Sequence, residues 1–136
     1  MKNYKRAAEN FERALLFETD NKTTINYLGL CLNSQGDTKG AIKQHKRALK
    51  IDPNYKECWS NLGQAYKERG NYQKSEDAYS KSILMDTSHE NTYYLRGFAR
   101  FSSGKKKKLL LLLFFFFFYL FFCIFFFLTK IFLYRN

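Results

Sequence analysis

Between residues 4 and 103 apolar side chains recur every three or four positions, and short polar breaks interrupt them. Tyr4, Ala7, Ala8, Phe11, Ala14 and Leu15 fall on one helical face, as do Trp59, Leu62 and Tyr66 at i, i+3 and i+7. Carried along the chain, this period predicts six helices, at about 4–18, 22–35, 38–51, 56–69, 72–85 and 90–103. The breaks carry stop and start signals. Gly70 is placed to end the fourth helix, and Asn71 to cap the fifth. Pro53, in Asp52-Pro53-Asn54, stops the third, while Thr19 and Thr87 hold the equivalent slots elsewhere. Thr87 with Glu90 reads as a capping box for the sixth helix.

The helices repeat with a fixed period. Glycine occurs at 29, 63 and 97 and again at 36, 70 and 104, and an apolar residue stands at 25, 59 and 93. Each series advances by 34 positions. The stretch Trp59-Ser60-Asn61-Leu62-Gly63-Gln64-Ala65-Tyr66 fits the opening W-x-x-L-G-x-x-Y of the tetratricopeptide repeat. The chain thus resembles the tetratricopeptide repeat (TPR) family over about residues 4–104.

That resemblance implies an all-α solenoid of helical hairpins, each a helix A followed by a helix B, in which no hairpin buries its apolar face alone. Gly63 is expected where two helices meet too closely for a side chain. Helix B should carry a small residue with an aromatic four positions on. Ala7 with Phe11 fits; Ala41 with His45 and Ser75 with Tyr79 fit in part. A second small residue appears as Ala14, Ala48 and Ser82. The expected organisation is a partial repeat at 1–21, full repeats at 22–55 and 56–89, and a partial repeat at 90–104. The chain opens inside a repeat, so a longer array with a helix A ahead of Met1 is expected.

Beyond Gly104 the character changes. A basic linker, 105–108, leads into twenty consecutive apolar residues, 109–128, and a short tail, 129–136. A helix of that length spans about 30 Å, the thickness of bilayer hydrocarbon. One reading is a C-terminal transmembrane anchor, with the lysines holding the repeats on the cytoplasmic side. The other is a gene-model artefact, because runs of Lys, Leu and Phe are what A- and T-rich non-coding DNA yields on translation. The protein is then cytoplasmic.

Charge adds less than the net +11 suggests. Before residue 105 there are seventeen Lys and Arg against twelve Asp and Glu; the other six basic residues belong to the tail. Lys39, Lys43, Lys46, Arg47 and Lys50 form a basic stripe along the third helix. It reads either as a solvated outer face or as an attraction for an acidic partner or an anionic membrane. No aromatic platform interleaves with it, which argues against nucleic acid.

Cys31, Cys58 and Cys123 are too few and scattered for a disulfide framework or a zinc site, and they suit a reducing compartment. Cys31 reads as a small buried hydrophobe. His45 occupies an aromatic packing slot, and His89 lies beside a turn as a solvated side chain. No catalytic triad, phosphate loop or metal motif is present, so neither an enzyme nor a cofactor or small-molecule substrate is expected.

What the resemblance implies is binding: a non-catalytic scaffold or adaptor holding a peptide or partner helix in the groove lined by helices A. The positions that the repeat leaves free there are Asn26, Leu30, Asn33, Ser60, Asn61, Gln64, Lys67, Asn91 and Tyr94. They are mostly uncharged and suited to hydrogen-bonding a peptide backbone. The TPR subclass that clamps chaperone C-termini carries Lys and Asn where Asn26 and Leu30 stand, Asn where Asn61 stands, and Lys and Arg where Asn91 and Leu95 stand; only Asn61 agrees. Tyr27 and Leu95 fill the slots flanking Asn61, so no asparagine ladder is expected. A runner-up reading makes this the truncated TPR region of a larger protein or enzyme, such as a glycosyltransferase.

Overall fold

A computed structural model describes the backbone of residues 2–86 and 90–134 and the side chains of residues 3–86 and 90–121. Thr87, His89 and Cys123, and with them the capping box and the solvated histidine, lie outside the described side chains. Among the described residues the fold is all-helical: α1 (Lys2–Ala14), α2 (Lys22–Ser34), α3 (Thr38–Ile51), α4 (Lys56–Glu68), α5 (Tyr72–Met85) and α6 (Glu90–Tyr134). The chain divides into two compact units, Met1–Phe101 and Ser102–Asn136.

In the first unit consecutive helices pack in chain order from α1 to α5, and α2 also touches α4. This is hairpin stacking. The caps follow local chemistry. Asn21, Asp37 and Asn71 accept the backbone N–H of Thr24, Gly40 and Lys74 and so start α2, α3 and α5. Gly36 and Gly70 take φ of 88° and 69° just after α2 and α4, where a side chain would be strained. Asp52 accepts from the Asn54 N–H at 2.9 Å and shapes the turn around Pro53.

The core comprises Ile25, Leu28, Ala41, Ile42, Ala48, Leu49, Cys58, Leu62, Ala65 and Ala78, with Trp59 and Phe11 packed partly against it. The repeat glycines show why the 34-residue period exists. A Cβ on Gly29 would stand 2.6 Å from the His45 ring, and one on Gly63 would stand 2.7 Å from the Tyr79 ring. The helix B aromatic of each hairpin therefore lies directly against the glycine of its helix A.

The expected pattern fails in places where a neighbour is missing. Ala48 and Ser82 are buried, but Ala14 is exposed. The Ser82 hydroxyl donates to the Lys56 carbonyl of the preceding helix, which shows what this slot faces; among the described residues no helix takes that place against Ala14. α1 also ends at Ala14 rather than 18, its last turn tightening into the bonds Leu16 N–H to Arg13 O and Phe17 N–H to Ala14 O. Gly97 has open space where Gly29 and Gly63 are crowded, because no helix B aromatic covers it. Gly104 does not stop a helix. Among the described residues only Gly36 and Gly70 have positive φ, and residues 104–108, expected as a break and linker, are helical within α6.

In the second unit every described side chain from Leu109 to Phe121 is exposed. Phe114 stacks on Phe118 with ring centroids 6.5 Å apart, one helical turn away. Among the described residues no helix is long and apolar enough to cross a membrane. The transmembrane segment expected at 109–128 is therefore not found there; side chains of that run are described only as far as Phe121.

Candidate binding groove

The candidate groove is carried by α2, α4 and α6, the first helices of successive hairpins. Its best-defined element is a polar cluster joining α2, α3 and α4. Asn26 is buried in α2, and its Oδ1 accepts from the Asn61 side-chain amide at 3.1 Å and lies 2.9 Å from His45 Nδ1. The Asn26 amide in turn donates to the Tyr55 hydroxyl at 3.4 Å. Burial pulls the His45 pKa down to about 4, so its ring is neutral at pH 7. An amide oxygen cannot donate, so Nδ1 carries the proton. Cys58 completes the cluster with its thiol donating to the His45 carbonyl at 3.3 Å. Burial pushes that thiol up to about 12, and it is not a nucleophile. His45 is thus a packed, bonded ring, as its slot predicts.

The nine predicted groove residues divide according to this geometry. Asn26 is turned inward and holds Asn61, which stays half-buried. Gln64 is held at both ends: its Oε1 accepts from the Tyr79 hydroxyl at 3.1 Å and its amide donates to Glu68 at 2.8 Å. Lys67 sits 5.8 Å from the Phe98 ring centroid, joining α4 to α6. Leu30, Asn33 and Ser60 are half-buried, and Asn33 Oδ1 is buried with no hydrogen-bond partner among the described residues. Asn91 and Tyr94 are exposed on α6. α6 is further tied to α5 by Arg100, which donates to Glu76 at 2.6 Å.

Two features escaped the sequence reading. Lys22, which opens α2, pairs with Asp52, which closes α3; Lys56 and Asp86 repeat that pair one repeat later. These bonds raise the pKa of both lysines and lower that of Asp52. The signal was present, since Lys22 and Lys56, and Asp52 and Asp86, are each 34 apart. The second feature is a cleft of ≈ 370 Å³ between α3 and α5, floored by α4. Leu49, Trp59, Leu62, Tyr66 and Ala78 line it, and Lys46, Lys50, Lys74, Asp77 and Lys81 rim it. Among the described residues no group of His, Cys, Asp and Glu could hold a metal ion.

Stacked helical hairpins with polar, half-open first helices define a repeat solenoid of the protein-binding kind. Comparison with known proteins places it further: the TPR repeat pattern matches residues 29–70 and the tetratricopeptide repeat pattern matches 56–89. The chain belongs to the tetratricopeptide repeat family, whose members mediate protein–protein interactions. It is similar to small glutamine-rich tetratricopeptide repeat-containing protein 2 of Mycosarcoma maydis, at 30% identity over 65% of this chain and 25% of that protein. Among solved structures, the Sgt2 TPR domain from Aspergillus fumigatus superposes with a TM-score of 0.74 at 20% identity, covering 79% of this chain and 72% of that one. The first TPR of Spaghetti (RPAP3), bound to the HSP90 peptide SRMEEVD, superposes with a TM-score of 0.73 at 10% identity, covering 76% and 82%. At such identities the structures show the fold alone. The chain spans a quarter of the length of the Mycosarcoma maydis relative.

Proposed function

We propose that this chain is a non-catalytic adaptor that holds an extended peptide along α2, α4 and α6. The observation that carries this reading is the tie from Asn26 to Asn61. It fixes a half-buried amide on α4, beside Ser60 and Gln64 of the same helix, at low entropic cost to a ligand. Asn61 Oδ1 and its remaining N–H then meet the donor and acceptor of one peptide unit. The peptide-bound TPR of Spaghetti supports peptide binding in this fold. The groove lacks the basic residues of a chaperone clamp, so we assign it an uncharged backbone-reading role.

The test is calorimetric titration with extended peptides. Asn61→Ala should weaken binding by about 1 kcal/mol, or about fivefold. N-methylation of the peptide backbone should weaken it similarly. Unchanged affinity in both experiments would sink the groove reading.

We further propose attachment to a membrane through residues 109–128, with the repeats on the cytoplasmic side. The uniform exposure of Leu109 to Phe121 favours this. Release of the tagged full chain by carbonate wash would count against it.

A further inference from the structure

We propose that the cleft between α3 and α5 is a second binding site, which takes an acidic peptide segment inserting one bulky apolar side chain against Trp59. Four lysines rim it against the single carboxylate of Asp77. None of the ion pairs among the described residues uses these lysines, so their charge is available. Three of them are gathered over the floor rather than splayed from it. Lys81 Nζ lies 4.2 Å from the Trp59 ring centroid, and Lys46 and Lys74 lie 5.9 and 5.8 Å from that of Tyr66. Such cations sit on the ring faces and still reach a carboxylate at the rim. The indole N–H of Trp59 donates to the Pro53 carbonyl at 2.8 Å, which favours the seat of the ring on the floor of the cleft.

Size and shape select the occupant. At ≈ 370 Å³ the cleft stands at the low end of ligand pockets, enough for one inserted side chain with its flanking backbone. Its apolar surface is recessed beneath the lysines. A flat lipid surface would meet the ammonium groups without reaching the floor, whereas a peptide anchor reaches both. The site is rimmed by the second helices of the hairpins and shares with the α2, α4 and α6 groove only the helix α4, not a side chain, so substitutions can test the two separately.

Trp59 is the only tryptophan in the chain, so the emission comes from the floor of this cleft. The full chain in non-ionic detergent is titrated with a short peptide bearing one phenylalanine between acidic residues. The expected result is a saturable change in Trp59 emission. Replacing the phenylalanine by alanine should abolish it. Raising salt from about 0.1 M to about 1 M, which shortens the screening length from about 10 to about 3 Å, should weaken it. The double reversal Lys50→Glu and Lys74→Glu leaves Lys81 over Trp59 and should weaken binding about tenfold, with the helical circular dichroism unchanged. Equal binding by the double reversal would overturn the proposal. So would a Trp59 response to phosphatidylserine vesicles or to an oligonucleotide without one to the peptide.

Discussion

Gly63 and Gly97 occupy the same slot of successive repeats, and the same substitution should act on them with opposite sign. A Cβ on Gly63 would stand 2.7, 2.8 and 3.0 Å from three carbons of the Tyr79 ring. Ordinary carbon contacts begin at about 3.5 Å, so the ring must retreat by about 0.8 Å. It has little room to do so. Tyr79 is fully buried, and its hydroxyl is bonded to Gln64, itself held by Glu68. Overpacking of this kind costs about 1–3 kcal/mol, and a ring tethered at its far end belongs in the upper part of that range. Alanine returns about 1 kcal/mol of helix propensity. Gly63→Ala should therefore lose about 1–2 kcal/mol. Gly97→Ala meets nothing within 4 Å and should only gain, by up to about 1 kcal/mol. Urea unfolding of the full chain in non-ionic detergent, followed by circular dichroism, reads both changes. With a slope of about 2 kcal/mol per molar, Gly63→Ala should lower the midpoint by about 0.5–1 M. A Gly63→Ala midpoint at or above that of the parent, or a Gly97→Ala loss of equal size, would refute the close-packing argument.

Acid should expose the histidine. The folded pKa of His45 is pulled from 6.5 to about 4, so the neutral ring stabilises the fold above pH 6.5. That contribution, about 3 kcal/mol, is lost progressively as pH falls from 6.5 to 4. His45→Phe should flatten stability between pH 7 and 5; an unchanged slope would assign the acid sensitivity to other groups. Asn71→Ala removes the side-chain acceptor for the Lys74 N–H and should cost about 1 kcal/mol in thermal or urea unfolding, with Asn71→Ser restoring most of it.

The architecture of the first unit was legible because a solenoid repeats its own evidence. The glycine series marked both the turns and the close contacts; five of the six helix starts fall on the expected residue and the other within two of it. The differences arise where periodicity continues but the neighbour does not. Ala14 and Gly97 keep the repeat's residue type while lacking the partner that gives it a purpose. Gly104 could not be read as helical, because nothing local distinguishes it from Gly36 and Gly70. The groove was harder to read. Asn26 looked like a free helix A position, but which amide turns inward depends on a histidine nineteen residues away. The lysine cleft was half visible as a stripe on α3; its other half lies on α5, and only packing brings the two together over Trp59.

The Lys22–Asp52 and Lys56–Asp86 pairs join residues thirty apart and close the open end of each hairpin, opposite its turn. This gives the array a mechanical character. Tension applied along the chain pulls on the points where one hairpin hands over to the next, and those are the points the two clamps hold. Each hairpin therefore yields as a separate link, with an electrostatic latch that must open before its helices part. Because such latches weaken with ionic strength, the force needed for the first extension of each link should fall as salt rises. The force that separates the apolar helix faces, once the latch is open, should change far less.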